Sequence, residues 1–330
     1  MTRESRLIII LVVLSIVAVM AVVFVYRGKN TIEAGSESKP RIAVILKTVD
    51  YKNLAFWQTV KDGIESAAKD FNVEISIQGP MSETQVDEQI TIIKNALKTK
   101  PDAFVIAAAD FDRLIPVAKE IKAANIPLVT IDSFINGDMA DTKIGTDNYD
   151  AGQKAGAALM EIIPSGSKVV IMSYVQGTSS AIDRESGVRD FLNGRVDLEE
   201  TIFSGGEIDV AYKQASYILD SDPEVRGIIA LNDPTTIGAA RALSESNRKQ
   251  DVVLIGFDNS LTVLGFVEAE VVKDTIVQKP FNMGYLGIKT ALDLIQGKKA
   301  DPFIDTGSKV INRQNMLLPE NQKLLFPVSR

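Results

Sequence analysis

The chain has 330 residues and contains neither cysteine nor histidine. Without cysteine there are no disulfides, no thiolate nucleophile, no Cys-ligated zinc and no lipid-bearing cysteine of the bacterial lipoprotein kind. Without histidine, the commonest general base and the commonest metal ligand are both missing. An enzyme built on this chain would have to work with carboxylates, lysine, serine, tyrosine or arginine alone. Basic residues number 36 against 43 acidic ones, for a formal charge of −7. That balance lacks the basic footprint a nucleic-acid surface requires, so no nucleic-acid partner is expected. No cofactor motif stands out either; the run GTSS is a faint phosphate-loop echo without the lysine such loops carry.

What the sequence does have, at once, is a long apolar run. Residues 7–25 are nineteen consecutive uncharged positions, with Ser15 the single hydroxyl among them. At 1.5 Å per residue a helix of that length reaches about 28 Å, close to the hydrocarbon thickness of a bilayer. A cleaved export signal has a shorter apolar core followed by small residues, whereas this run ends in Val23, Phe24, Val25 and Tyr26. The expectation is a retained signal-anchor, residues 1–27, in preference to a cleaved signal. Arg3 and Arg6 ahead of the run place the N-terminus in the cytoplasm and the rest of the chain outside, although Arg27 and Lys29 weaken the bias. Residues 28–40, GKNTIEAGSESKP, read as a flexible tether. The expected location is therefore the cell membrane, single-pass with an extracytoplasmic folded part, or secretion if the segment is cut.

From Arg41 the pattern alternates strand and helix. RIAVIL reads as a strand, and LAFWQTVKDGIESAAKDF as a helix with Phe56, Val60, Ile64 and Ala67 on one face. VEISIQ alternates with period two. SETQVDEQITIIKNALKTK is helical, with Ser82 and Gln85 as a capping box. The cycle runs on through DAFVIAAA, FDRLIPVAKEIKAAN and IPLVTID, then restarts at SKVVIMS with the same rhythm through LEETIFS, VRGIIALN and DVVLIGFD. Such alternation with short loops predicts α/β structure with parallel sheets. Two similar halves predict two doubly wound, Rossmann-like lobes. DTIVQ, ahead of the helix NMGYLGIKTALDLIQGK, is placed to carry the chain back between them, and the tail from Leu318 reads as peripheral.

In open α/β sheets, ligands sit at the carboxyl ends of the strands. Those ends carry Lys47, Asp50, Phe56 and Trp57; Asp132; Asp183 and Arg184; Asn232 and Asp233; Asp258 and Asn259; and Gln278. Carboxylates and amides pair with vicinal hydroxyls, an arginine offers a fork of donors, and aromatic faces suit the C–H face of a sugar ring. Taken together the set suits a monosaccharide, pentose or hexose, or a related small polyol. Singly, each residue has a plainer reading: Asp233 before Pro234 fits a helix cap, Lys47 fits a surface lysine, and one of the adjacent Phe56 and Trp57 must turn toward the core.

From Arg41 to about Asn315 the chain resembles the type I periplasmic binding proteins, close to the ribose-type sugar receptors of ABC transporters. The stretches that carry the likeness are AFWQTVKDGIESAAKDFNVEI, KPDAFVIAAAD, ANIPLVTIDS, IGTDNYDAGQKAGAAL, GTSSAIDRESGVRDFL, ALNDPTTIGAARAL, VVLIGFDNS and DTIVQKPFNMGYLGIKTAL, in family order. The resemblance implies two lobes joined by three hinge strands, with lobe 1 formed by residues 41–146 and 279–306, lobe 2 by 147–278 and 307–318, and a tail at 319–330. It implies a sugar in the cleft, stacked by Phe56 and Trp57 and bound by Asp132, Arg184, Asn232, Asp258 and Gln278, with Lys47 at the polar position after the first strand. Two departures leave the sugar open: the ribose-type Asp-Arg pair reads Asp132-Ser133, and the loop KTVDYKNLAFW is longer and lacks an Asn-Pro.

The expected role is capture of the sugar outside the cytoplasm, with lobe closure presenting it to the permease of an ABC importer. The alternative is a membrane-tethered sensor that signals through a histidine kinase. Lac-repressor-like regulators share the lobes but carry a DNA-binding helix-turn-helix where this chain has its apolar run. Enzymatic activity is not expected, since Asp132 and Asp258 are the one plausible acid–base pair.

Overall fold

The computed structural model describes residues 39–52 and 54–326, together with positions 15 and 20. The expected membrane span and most of the expected tether lie outside the described residues. Among the described residues no helix is long and apolar enough to cross a membrane.

The chain runs β1 (Arg41–Ile45), α1 (Ala55–Asp70), β2 (Glu74–Gln78), α2 (Val86–Lys98), β3 (Ala103–Ile106), α3 (Ile115–Ala123), β4 (Leu128–Ile131) and β5 (Thr142–Gly145). It continues with α4 (Asn148–Met160), β6 (Lys168–Ser173), α5 (Ser179–Leu192), β7 (Asp197–Leu198), β8 (Ile202–Phe203), α6 (Ile208–Ser221), β9 (Val225–Ala230), α7 (Asp233–Glu245), β10 (Val253–Phe257), α8 (Leu261–Glu268) and β11 (Val272–Val277). It closes with α9 (Pro280–Ile295), β12 (Phe303–Asp305), β13 (Lys309–Asn312) and α10 (Pro319–Leu325). Two sheets result. The first has the order β12-β5-β4-β3-β1-β2; the second runs β13-β11-β10-β9-β6-β7, with β8 also on β6. Among the described residues all pairings are parallel except β13 on β11. The chain crosses between the sheets after β5, after β11 and after β12.

Each central strand is buried on both faces, which is why it reads as an unbroken apolar run. Along β1, Ile42 and Val44 pack with Val60 and Ile64, while Ala43 and Ile45 pack on the other side with Ile93 and Ile121. The edge strand β2 alternates exposed and half-buried positions, matching its period-two sequence. Helices α4 and α5 press backbone to backbone. A Cβ on Gly152 would stand 2.2 Å from the carbonyl oxygen of Arg184, and one on Gly187 would stand 2.1 Å from that of Tyr149. Only glycine allows this approach, and it fixes the helix that carries Arg184.

Several local expectations shift. The buried face of α1 is led by Trp57, not by Phe56, which is half-buried. The Gln85 side chain accepts from the Ser82 N–H at 2.8 Å as a capping box requires, yet α2 starts at Val86, so Ser82 is not its N-cap. LEETIFS is not one strand: β7 and β8 flank a segment where Glu199 pairs with Lys168 and the Thr201 hydroxyl bonds Glu185 and Arg189. Polar anchoring to neighbouring elements overrides the local strand pattern there. The tail is not peripheral, because Leu325 of α10 lies in a core cluster of the second sheet and Asn321 is fully buried.

Candidate functional site

All eight candidate residues line one cavity of about 430 Å³ between the carboxyl ends of the two sheets. In each sheet the first strand (β1, β6) has the next strand on one side and the remaining ones on the other, so the cavity faces both topological switch points.

On the first side, Lys47 follows β1 and is 2% exposed. Its Nζ donates to Ser133 Oγ at 2.9 Å and lies 2.9 Å from Asp132 Oδ2. It also sits 5.4 Å from the centre of the Trp57 ring. Burial works against the ammonium charge, but the carboxylates of Asp132 and Glu83 outweigh it and hold the lysine above its ordinary pKa. Asp132 Oδ2, close enough to Lys47 for an ion pair, makes no aligned hydrogen bond and is buried. Phe56 and Trp57 stand in the first turn of α1, edge to face with centroids 5.2 Å apart.

On the second side, the Arg184 guanidinium is pinned on two atoms. Nε donates to Asn148 Oδ1 at 2.8 Å and Nη1 to the Leu231 carbonyl at 2.7 Å. The group lies over the Phe257 ring at 4.6 Å, a cation–π contact in a dry setting. Asn232 is the N-cap of α7, accepting from Thr235 N–H at 3.1 Å. This corrects the cap reading of Asp233, which stands one residue inside the helix and accepts from Ser260 N–H at 3.3 Å. Asp258 accepts from Gln278 Nε2 at 2.7 Å and from the Asp233 N–H at 3.1 Å. Gln278 in turn accepts from Thr146 Oγ1 at 3.0 Å, so it ties two of the crossings to the site. Burial raises the pKa of Asp258, against the pull of Arg184. Burial, and then the neighbouring Asp258 charge, push Asp233 up to about 7.

Asp50 and Asp233 also line the cavity, whereas Asp183 and Asn259 do not. Asn259 instead donates to the Leu325 carbonyl at 2.9 Å. The lobes meet directly beside the site: Ser133 Oγ and Ser180 Oγ are 2.9 Å apart, Phe134 N–H donates to Ser179 Oγ at 2.7 Å, and Phe111 N–H donates to the Gly177 carbonyl at 2.7 Å. Several lining residues were missed from sequence, Tyr174 and Glu83 among them. Tyr174 follows β6 as Lys47 follows β1, so the strand-end rule could have found it. Glu83 comes from a loop after an edge strand and had no such signal.

The profile of the periplasmic binding protein domain matches residues 42–299, and the chain belongs to that family. It is 28% identical over 278 residues to the D-ribose/D-allose-binding protein of Pseudomonas aeruginosa, covering 82% of this chain and 86% of that one. Among solved structures it is similar to an ABC transporter solute binding protein from Agrobacterium vitis with bound D-fucose, at 34% identity and TM-score 0.83, over 87% of this chain and all of the other. A carbohydrate transporter solute binding protein from Agrobacterium radiobacter, in complex with D-arabinose, has 28% identity and TM-score 0.83 over 88% of this chain and 100% of that one. These relatives are named as binding proteins, not as enzymes.

Proposed function

We propose that the chain binds a monosaccharide, pentose or hexose, in the cavity between its lobes, and presents it to the permease of an ABC importer. The observation that carries this reading is convergence: Lys47, Phe56, Trp57, Asp132, Arg184, Asn232, Asp258 and Gln278 come from strand ends and helices far apart in the sequence and line one cavity. In this reading, Phe56 and Trp57 cover the C–H face of the ring. Asp132 and Asp258 accept from hydroxyls, and Arg184 and Asn232 donate to them. Because the contacts come from both lobes, the sugar favours the closed form through its higher affinity for it. The N-terminal segment serves as a signal-anchor that holds the receptor outside the cytoplasm. The relatives reported above support import, and none of them is named as a sensor.

A thermal-shift screen of the full-length chain against aldopentoses, aldohexoses and small polyols tests the reading. A ligand at a hundred times its Kd stabilises the native state by about 2.7 kcal/mol. The expected result is a rise of several degrees with one sugar or a few epimers. No rise with any of them refutes the sugar reading.

A further inference from the structure

The sheet-1 wall of the cavity holds a carboxylate that none of the strand-end reasoning uses. Glu83 Oε1 accepts from Trp57 Nε1 at 2.6 Å, and its Oε2 stands 3.9 Å from Lys47 Nζ. Its side chain is 15% exposed. The loop that carries it is fastened to the loop after β1: Val49 N–H donates to the Pro80 carbonyl at 2.9 Å, and Thr48 Oγ1 to that of Met81 at 3.0 Å. One oxygen of Glu83 is thus held by the indole and the other is held facing the ammonium.

The 3.9 Å gap decides what fits there. An ammonium has three N–H donors. Ser133 accepts along one direction at 2.9 Å, and Asp132 Oδ2, also at 2.9 Å, stands on a second as an ion-pair partner without an aligned hydrogen bond. The third direction has Glu83, at ion-pair range but beyond hydrogen-bond distance. A hydroxyl oxygen about 2.8 Å from each group closes that triangle, accepting from the ammonium and donating to the carboxylate. Another cation would meet Lys47, another anion would meet Glu83 and Asp132, and a methyl group would leave the gap between Lys47 and Glu83 without a hydrogen bond in a desolvated wall.

We propose that Lys47 and Glu83 form a hydroxyl-binding subsite and that Glu83 determines which sugar epimer the cleft accepts. The proposal rests on the sugar reading above. A site built to hydrogen-bond a hydroxyl rejects the analogue that lacks it far more strongly than an apolar pocket rejects a changed methylene.

The test combines ligand deletion with side-chain deletion. Titration calorimetry on the full-length chain identifies the tightest aldopentose or aldohexose, and then measures each of its monodeoxy analogues against wild type, Glu83→Ala, Glu83→Gln and Trp57→Phe. In wild type, one monodeoxy analogue is expected to bind about a hundredfold more weakly than its parent. In Glu83→Ala that same ratio is expected to collapse to about threefold or less while the ratios for the other positions stay as in wild type. Glu83→Gln keeps an acceptor oxygen without the charge, and lowers the ratio about tenfold; it stands in if the alanine variant does not fold. Trp57→Phe removes the indole donor that holds Glu83 Oε1, so a lowered ratio at that same ligand position, and at no other, is expected there too. Equal ratios in wild type and both Glu83 variants overturn the subsite alone. A wild type that binds no sugar at all overturns the sugar reading and the subsite with it.

Discussion

Asp233 makes the stability of this protein fall as pH rises through a range where most carboxylates stabilise. It is buried, stands beside Asp258, and accepts one backbone N–H at 3.3 Å as its compensation. Burial and the Asp258 charge push its pKa up to about 7, from 3.8 for an ordinary aspartate. The folded protein therefore keeps this proton up to about pH 7, whereas the unfolded chain releases it near 3.8. Between those values folding takes up a proton, so stability drops by as much as about 1.4 kcal/mol per pH unit, and the loss is complete above the folded pKa. Across the window this amounts to roughly 4 kcal/mol for the one group. Asp258, also raised by burial, acts in the same direction. Asp233→Asn removes the ionisation and keeps an oxygen for the Ser260 N–H. Urea unfolding of the full-length chain, followed by the fluorescence of the single tryptophan, should find the variant more stable than wild type by roughly 1–2 kcal/mol near pH 5. At pH 8 the variant should be more stable by roughly 3–4 kcal/mol. Parallel profiles for the two proteins from pH 5 to 8, or a variant less stable at pH 8, would refute the reasoning.

Two substitutions probe the site's scaffold and its centre. Gly152→Ala places a methyl 2.2 Å from the Arg184 carbonyl, so α4 and α5 must separate; the unfolding free energy should fall by about 2 kcal/mol, and sugar affinity should fall with it because Arg184 moves. An affinity unchanged within twofold would detach the helix contact from the site. Asp258→Asn tolerates the left-handed backbone but loses a charged acceptor, and calorimetry should show about 30- to 100-fold weaker sugar binding with the fold intact by circular dichroism. A loss of less than threefold would remove Asp258 from the contact set.

Much of the fold was legible because its signals are local. Apolar strands such as RIAVIL and VVLIGF are buried on both faces, and a run of that kind reads as a central parallel strand without knowledge of its partners. What failed was decided by distant partners. The segment LEETIFS breaks into two short strands because Arg189, Glu185 and Lys168 hold its polar middle. The helix at Leu261–Glu268 was not foreseen, since LTVLGFVE is too apolar to show an exposed face, and α10 was read as tail because its short sequence does not reveal that Leu325 reaches the second core. In the cavity, Asp132 and Asp258 stood out because each directly follows an apolar strand. Glu83 did not, because only the closure of one loop over another brings it to Lys47.

The two aspartates also expose the logic that links the lobes. Asp132 ends β4 and Asp258 ends β10, and these strands hold equivalent places in the two sheet orders. Each aspartate has a left-handed backbone, with φ of 60° and 71°, and each N–H donates to the neighbouring strand, Asp132 to Ile144 at 3.0 Å and Asp258 to Ile276 at 2.9 Å. Left-handed φ is uncommon for a residue with a side chain, though aspartate tolerates it better than most. That the same turn occurs at the same strand in both lobes makes it a shared device for turning a carboxylate off the end of a sheet, and the cost of order 1 kcal/mol per residue is carried by strands buried on both faces. Their surroundings differ in the sense that matters for binding. Asp132 faces an ammonium with one oxygen outside hydrogen-bond geometry, while Asp258 is already held by Gln278 and the Asp233 N–H. A ligand between them therefore meets one carboxylate with capacity to spare and one locked to the crossing strands. Through Gln278 and Thr146, the locked one is tied to two of the places where the chain crosses between the sheets.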